Sequence, residues 1–333
     1  MKYYWKDLLG PDLSWSGLAI NISEAGTPHF FLQSGENGRI KVINSGKTLF
    51  WATIADNYYG VWMIKSFLEN SIEESPIPPI KSNIIEELKN KKNDDYFKAW
   101  SRYFIEQISE SRSSFLFNGL WFINGLNISE GNNWNFKSND ISGKIDCVYA
   151  CNVKNSIDRP KLDWIDWWDY GAQVIGLKNR PDENEGRVKW WRKKIKEEAL
   201  PPIFVLYLTC LDSYIIIDGH SRLLASILEN IPPNLLVIYS ANEIENPIEI
   251  KVQDKVLNSV IKENENNRKK PISVDKLNKI LIEAFDDRPV IQAKMNSQVV
   301  YDFDVTWKNE VQEELIKANL TDKLEHVLCR NSP

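Results

Sequence analysis

The second half of the chain alternates between continuous apolar runs and segments whose apolar residues recur every three or four positions. Residues 201–208 ("PPIFVLYL") and 214–218 ("YIIID") are mostly or wholly apolar, which is typical of buried strands. Residues 186–200 and 221–230 place apolar side chains on one helical face, and residues 235–240 ("LLVIYS") are again strand-like. The pattern predicts the order helix, strand, strand, helix, strand.

The first half is less regular. Short strand-like runs at residues 38–43 and 48–55 flank "NSGK" and predict a β-hairpin. Three prolines within residues 75–83 indicate a loop, after which helical spacing predicts one or two helices between residues 83 and 110. Residues 126–144 are polar and rich in Gly and Asn, which predicts a long loop and a domain boundary shortly after it.

The C-terminal region has helical periodicity at residues 273–285 and 309–329, with an alternating, strand-like stretch at residues 298–305. We expect these elements to complete a second domain. The sequence therefore predicts an α/β (α+β) protein of two domains. Residues 1–155 would form a mixed α/β domain of unknown type, and residues 156–333 would form the second domain with a C-terminal helical extension.

Composition places the chain among packed globular proteins, because 43% of its 333 residues are hydrophobic and 26% are charged. A formal net charge of −5 argues against a broad basic surface for duplex DNA, whose binding depends on neutralising phosphates. No apolar run reaches the roughly 18 residues of a membrane helix, and the N-terminus lacks the pattern of a signal peptide. We expect a cytoplasmic protein without a membrane partner.

Cysteine and histidine are too scattered to predict a metal site. Of the four cysteines, only Cys147 and Cys151 are close in sequence, and the three histidines are isolated from one another. Tryptophan is abundant, and several of the 13 cluster within residues 163–171 and 188–194. Such clusters are usually core or domain interface, although tryptophan is also enriched at protein-binding surfaces.

The joint between the strand at residues 214–218 and the next helix carries the sequence Asp218-Gly219-His220-Ser221-Arg222. Glycine allows a ligand to approach the backbone, and the first turn of a helix leaves amide N–H groups unpaired. These amides, the helix dipole and the Arg222 guanidinium together predict an anion site. In the alternative interpretation, Asp218 or Ser221 caps the helix and Arg222 packs across it.

Residues 200–238 ("LPPIFVLYLTCLDSYIIIDGHSRLLASILENIPPNLLVI") resemble the core of the ParB and sulfiredoxin superfamily. In that superfamily a Pro-Ile-x-Val strand and a hairpin lead to a Gly-x-x-Arg turn followed by a helix. The resemblance covers about residues 190–240 and implies a mixed sheet flanked by helices in the second domain. It also implies that Gly219, His220, Ser221 and Arg222 bind the phosphates of a nucleotide, ATP, ADP or CTP with Mg²⁺.

The residues at which this chain differs from members of the superfamily indicate which of their activities the resemblance implies. Sulfiredoxins carry Cys-His before the arginine, whereas this chain has His220-Ser221, and no helix-turn-helix of a partition protein follows. The turn is most similar to the Asp-Gly-His-His-Arg of ParB-fold free serine kinases. The resemblance thus implies a nucleotide-binding protein, with phosphotransferase or nucleotide hydrolase activity as its enzymatic form.

In such an enzyme the turn would hold phosphates and Arg222 would stabilise developing negative charge. His220 would orient or deprotonate the acceptor, and Asp218 would be the Mg²⁺ ligand, which makes these two the candidate catalytic residues. Three weaker candidates for the facing wall are Asp169, Arg180 and Arg187.

A second hypothesis is a protein-binding function. An acidic, Trp-rich chain that joins a degenerate enzyme fold to an unfamiliar domain resembles the immunity proteins that neutralise bacterial toxins. Aromatic anchors and charge complementarity would then provide the affinity for a protein toxin. The two hypotheses differ in whether Asp218, His220 and Arg222 face an open pocket or are buried in mutual hydrogen bonds.

Overall fold

A computed structural model of the chain describes residues 1–9, 14–66, 76–111, 114–128, 134–138, 149–168, 172–245, 250–266, 272–284 and 290–333. Its strands in chain order are β1 (Lys2–Leu9), β2 (Trp15–Ser23), β3 (Phe30–Ser34), β4 (Arg39–Asn44), β5 (Lys47–Ile54), β6 (Gly60–Lys65), β7 (Gly119–Ile128), β8 (Phe136–Ser138), β9 (Tyr149–Cys151), β10 (Leu162–Asp166), β11 (Ala172–Ile175), β12 (Ile203–Leu208), β13 (Ser213–Asp218), β14 (Leu235–Ile244), β15 (Val290–Lys294) and β16 (Ser297–Val299). Its α-helices are α1 (Ser82–Leu88), α2 (Asn93–Glu110), α3 (Gly186–Lys196), α4 (His220–Glu229), α5 (Ile250–Asn266), α6 (Val274–Ala284), α7 (Phe303–Lys317) and α8 (Leu324–Leu328).

The larger of two mixed sheets has ten strands in the order β1-β2-β7-β8-β9-β11-β13-β12-β14-β15. Strand β14 also pairs with β7, so the seven strands from β7 to β14 in this order form a closed ring. Within the ring, β11 is parallel to both β9 and β13, and β12 is parallel to β14. Strands β12 and β13 form an antiparallel hairpin in which Phe204 lies opposite Asp218. This hairpin places the end of β13 beside the start of β12.

The smaller sheet has six strands in the order β10-β6-β5-β4-β3-β16. Helix α7 covers one of its faces, because Phe303, Trp307, Val311 and Leu315 recur every four residues and pack with Trp51 of β5. The indole N–H of Trp307 also donates to the carbonyl oxygen of Ile40 at 2.9 Å. The C-terminal helices therefore belong to the core of a sheet built mainly from the first 65 residues.

The predicted order of elements in the second half is confirmed. Helix α3, strands β12 and β13, helix α4 and strand β14 follow one another as the apolar pattern indicated. The hairpin of β4 and β5 and the two helices α1 and α2 are confirmed as well.

Two of the local predictions were wrong. The stretch at residues 298–305 is not one strand, because β16 ends at Val299 and α7 begins at Phe303 after a left-handed Asp302. Residues 126–144 are not loop throughout, because β7 continues to Ile128 and residues 136–138 form β8. In both places, pairing or packing with distant parts of the chain outweighs the local pattern.

Each sheet combines strands from both sides of residue 155. Strand β10 pairs with β6 in the small sheet, and β7 pairs with β14 in the large one. The predicted boundary at residue 155 therefore does not separate the two sheets, and the division into two domains stays a prediction. No helix in the described part of the chain is both long enough and apolar enough to cross a membrane.

Candidate functional site

The predicted joint is a sharp turn between β13, which ends at Asp218, and α4, which begins at His220. Gly219 has φ +120° and ψ 14°, a conformation that side chains rarely allow. A Cβ atom at this position would lie 3.1 Å from both Arg222 Nη2 and Ile203 Cγ2. The turn therefore requires glycine, both for its backbone angle and for its close packing.

The start of α4 is open to a ligand. The first backbone hydrogen bond of α4 runs from the Leu223 N–H to the Gly219 carbonyl oxygen at 2.8 Å. The amide N–H groups of residues 220–222 therefore have no acceptor within the helix. No described side chain caps this end of the helix. Asp218 and Ser221 therefore do not cap the helix, contrary to the alternative interpretation of this turn. The uncapped amides and the helix dipole favour an anion at this end.

A pocket of about 740 Å³ opens in front of this turn. Its walls come from the end of β6, the segment before β10, the segment between β11 and α3, and the β13–α4 joint. The pocket therefore lies where the two sheets meet. Its volume falls within the range of about 300–1,000 Å³ that is usual for small-molecule sites.

The pocket is strongly basic, with seven basic and three acidic lining residues. The basic residues are Lys65, Arg159, Lys161, Lys178, Arg180, Arg187 and Arg222. The acidic residues are Asp158, Glu185 and Asp218. This excess of positive charge stands out in a chain whose formal net charge is −5. A concave basic surface attracts anions more strongly than the same charges would on a flat, solvated face.

Three of the four arginines that line the pocket are already paired with carboxylates. Arg222 Nη2 lies 2.7 Å from Asp218 Oδ2, and Arg159 Nη1 lies 2.7 Å from Asp163 Oδ2. Arg180 Nη1 contacts both carboxylate oxygens of Asp158 at 2.9 Å. These pairs position the arginines but reduce the positive charge that each offers to a ligand.

Arg222 is the most deeply held of the three, with 2% of its surface exposed. Besides Asp218, its Nη2 donates to the carbonyl oxygen of Pro202 at 3.0 Å, and its guanidinium lies 5.3 Å from the centroid of the Trp191 ring. Its buried Nε has no hydrogen-bond partner in the described part of the chain. Arg222 thus lines the pocket and also links α4 to the segment before β12 and to α3.

Three other basic residues give the pocket positive charge that is not paired in a described salt bridge. Lys65, Lys178 and Arg187 line the pocket and form no salt bridge with any described residue. Lys178 and Arg187 are exposed, and Arg187 rests over the Trp191 ring at 5.3 Å. Arg187 and Arg180 were predicted for this wall, but Lys65 and Lys178 were not. For Lys178, the basic run Lys178-Asn179-Arg180 was a weak signal, whereas Lys65 had no such signal in the sequence.

His220 is buried beneath the turn. Its Nε2 accepts a hydrogen bond from the backbone N–H of Lys178 at 3.4 Å. Burial, followed by the charges of Lys178, Lys65 and Arg222, lowers the pKa of His220 to about 3. The imidazole is therefore neutral at pH 7, and its acceptor nitrogen is already engaged. This geometry fits a side chain that positions the segment after β11, and the catalytic role of His220 stays a prediction.

Two of the remaining predicted site residues line the pocket, and one lies outside the described residues. Asp218 and Ser221 both line the pocket and are partly exposed, whereas Asp169 lies outside the described residues, as does Cys147. Among the described residues, no group of three or more His, Cys, Asp and Glu side chains is arranged to hold a metal ion. A Mg²⁺ ion at Asp218 would therefore need oxygen ligands from a bound phosphate.

The tryptophan clusters are mainly structural. Trp191 is 1% exposed, and Trp164 packs edge-on against Trp62 with ring centroids 5.2 Å apart. The indole N–H of Trp167 donates to the Leu211 carbonyl oxygen at 3.0 Å. Trp168 is the exception, since 74% of its surface is exposed.

The site thus combines an uncapped helix N-terminus, a glycine that permits close approach and a basic, small-molecule-sized pocket. This arrangement can bind phosphate groups and stabilise negative charge on them. Comparisons with protein-family models, curated proteins and solved structures gave no match to this chain.

Proposed function

We propose that this protein binds a nucleotide or another phosphate-bearing small molecule in the basic pocket at the β13–α4 turn. The observation that carries the proposal is the concentration of seven basic residues around an uncapped helix N-terminus in an acidic chain. Phosphate is the anion that such donors suit best, because backbone amides and cationic side chains can bind several of its oxygens at once.

The phosphates would lie against the amides of residues 220–222, with Lys178 and Arg187 as their principal cationic partners. Both side chains are exposed at the pocket and outside the described salt bridges, so binding would not first break an ion pair. The apolar lining residues Ile77, Pro79 and Leu177 would accommodate a less polar part of the ligand, such as a nucleobase.

The proposal also draws on the sequence resemblance to the ParB and sulfiredoxin superfamily. Strand β12, the hairpin to β13, the glycine turn and α4 follow each other in the order that the superfamily uses. We therefore propose a ParB-like phosphate-binding unit, with phosphotransferase or nucleotide hydrolase activity as its enzymatic form. In that form Asp218 would hold Mg²⁺ together with phosphate oxygens, and the cations of the pocket would stabilise charge in the transition state.

Titration calorimetry with ATP, ADP and CTP, each with and without Mg²⁺, tests this function. We expect saturable binding of at least one nucleotide, with affinity that falls as salt concentration rises, because the contacts are ionic. Absence of heat and of any thermal shift with all three nucleotides would contradict the proposal.

A second candidate function is neutralisation of a protein toxin, and one surface feature favours it. Tyr59, at the turn between β5 and β6, packs edge-on against Trp168 with ring centroids 5.7 Å apart. Tyr58, Tyr59 and Trp168 are 69%, 52% and 74% exposed, respectively. Exposed aromatic anchors of this kind are common at protein-binding hot spots.

The Tyr59→Ser/Trp168→Ser double variant separates the two functions. If the aromatic residues bind a protein, this variant should lose a partner that the parent protein retains in affinity capture, while keeping its nucleotide binding. Equal capture by both proteins would contradict the toxin-neutralising function.

A further inference from the structure

Lys65 occupies an unusual position in the pocket wall. It is the last residue of β6, partly buried where the small sheet meets the β13–α4 turn. Its Nζ donates to the carbonyl oxygen of Arg159 at 3.2 Å, and its backbone N–H donates to the carbonyl oxygen of Lys161 at 2.8 Å. The backbone of β6 and the segment before β10 therefore fix this lysine at the edge of the pocket.

The carboxylate whose charge acts on Lys65, that of Asp163, is paired with another residue. Asp163 Oδ2 lies 2.7 Å from Arg159 Nη1, and Arg159 also donates to the side chain of Gln173. Lys65 therefore lies near the positive charge of Arg159 and forms no salt bridge with any described residue. The charges of Asp163 and Arg159, on the segment through β10, act on Lys65. Lys65 in turn acts on the buried His220 of α4, as Lys178 and Arg222 do.

Burial is the main reason that the pKa of Lys65 falls from 10.5 to about 8, with the charge of Arg159 lowering it further and that of Asp163 opposing the change. A phosphate in the pocket would add the negative charge that this site lacks. The protonated amine would then be favoured, because a nearby opposite charge stabilises the charged form of a titratable group.

We propose that Lys65 is a phosphate ligand of this pocket that takes up a proton as the ligand binds, so that binding weakens in mildly alkaline solution. This inference rests on the proposed function and adds to it a specific residue and a pH dependence. If the bound state restores an ordinary lysine pKa, uptake is about half a proton per ligand at pH 8 and about 0.9 at pH 9. The affinity then falls roughly tenfold between pH 8 and 9.5.

Calorimetric titration of ATP into the full-length protein at pH 8 and 9 measures this uptake. Each titration is run in two buffers with different ionisation enthalpies, and the difference in observed heat gives the protons exchanged. The terminal phosphate of ATP loses its last proton well below this range, as phosphate monoesters do at a pKa of about 6, so the ligand does not contribute. The Lys65→Arg variant keeps a charge that does not titrate, so it should bind ATP with almost no proton uptake and little pH dependence.

The Lys193→Arg variant, at an exposed lysine of α3 that does not line the pocket, is the matched control and should keep the proton uptake of the parent. ATP binding without proton uptake, or uptake that persists in Lys65→Arg, would overturn the role of Lys65 and leave the proposed function standing. Absence of ATP binding in the parent at either pH would overturn both.

A second measurement on the parent protein does not depend on any variant. Acetylation of Lys65 by acetic anhydride, followed by peptide mass spectrometry, should reach half its maximal rate near pH 8 and slow markedly with ATP. A rate that rises only toward pH 10.5, or one that ATP leaves unchanged, would overturn the proposal.

Discussion

The guanidinium of Arg222 lies 2.7 Å from the carboxylate of Asp218, one helical turn away across the joint between β13 and α4. The same Nη2 atom holds the Pro202 carbonyl oxygen, and the guanidinium rests over the ring of Trp191. The arginine that the superfamily resemblance assigned to phosphate is therefore also a central structural residue. The more accessible cations of the pocket are Lys178 and Arg187.

Replacement of Arg222 by alanine should destabilise the protein by about 3 kcal/mol, because it leaves the Asp218 carboxylate without its cation and removes packing from Trp191. This value is at the lower end for buried pairs, since the Asp218 side chain is 22% exposed. Urea unfolding of the two proteins measures the difference. Arg187→Ala, which removes an exposed arginine from the same indole ring, should change stability by no more than about 0.5 kcal/mol. Equal stability of Arg222→Ala and the parent would contradict the structural role.

Lys178→Ala and Arg187→Ala should each weaken ATP binding about tenfold, because each removes one charge-assisted contact worth about 1.5 kcal/mol. Neither change should alter the melting temperature appreciably. Lys193→Ala removes an exposed lysine from α3 that does not line the pocket, and it should leave the affinity unchanged. An equal loss in all three variants would indicate general electrostatic attraction rather than a defined site.

The buried His220 should make stability depend on pH below neutrality. Its pKa is about 3 in the folded protein, against 6.5 for the unperturbed group, so the unfolded chain binds the extra proton between these values. This contribution is fully present above pH 6.5 and is lost as pH falls. At pH 5 the loss should be about 2 kcal/mol.

Urea unfolding at pH 7.5 and pH 5 measures this loss, and His220→Gln should reduce the difference between the two pH values by about that amount. His29 is exposed, so His29→Gln should retain the dependence of the parent. A parent protein as stable at pH 5 as at pH 7.5 would show that His220 is not held neutral.

Gly219→Ala should cost about 1–3 kcal/mol, since alanine at φ +120° is strained and its Cβ would press against Arg222 and Ile203. It should also impair ATP binding by moving the amides at the start of α4. Gly26 has no atom within 4 Å of an added Cβ, so Gly26→Ala serves as the control and should be nearly neutral. Thermal unfolding of both variants checks the prediction. A Gly219→Ala variant as stable as the parent would contradict the requirement for glycine at this turn.

The elements of the site were predictable because their signals are local. The apolar runs of β12 and β13 and the helical spacing of α4 are continuous in sequence, and Gly219 marks the turn between them. The helix α7 was missed at its start because Tyr301, Phe303 and Val305 alternate with polar residues. The spacing of four that continues to Leu315 would have identified the helix.

The pocket itself was not predictable in the same way. Lys65 comes from β6 of the small sheet, and Lys178 follows β11 of the large sheet, more than a hundred residues away in the chain. A lysine is usually a solvated surface charge, and only the meeting of the two sheets places these two on the walls of one cavity. Closure of the ring through β7 and β14 is likewise a long-range pairing with no local signal.

A crystal structure of the protein bound to the nucleotide that binds it most tightly would show whether the β13–α4 turn is the phosphate site. We expect phosphate oxygens about 2.7–3.2 Å from the amide nitrogens of residues 220–222, with Lys178 or Arg187 in contact with the same phosphates. A saturating nucleotide that binds elsewhere, or one whose phosphates point away from the β13–α4 turn, would contradict it.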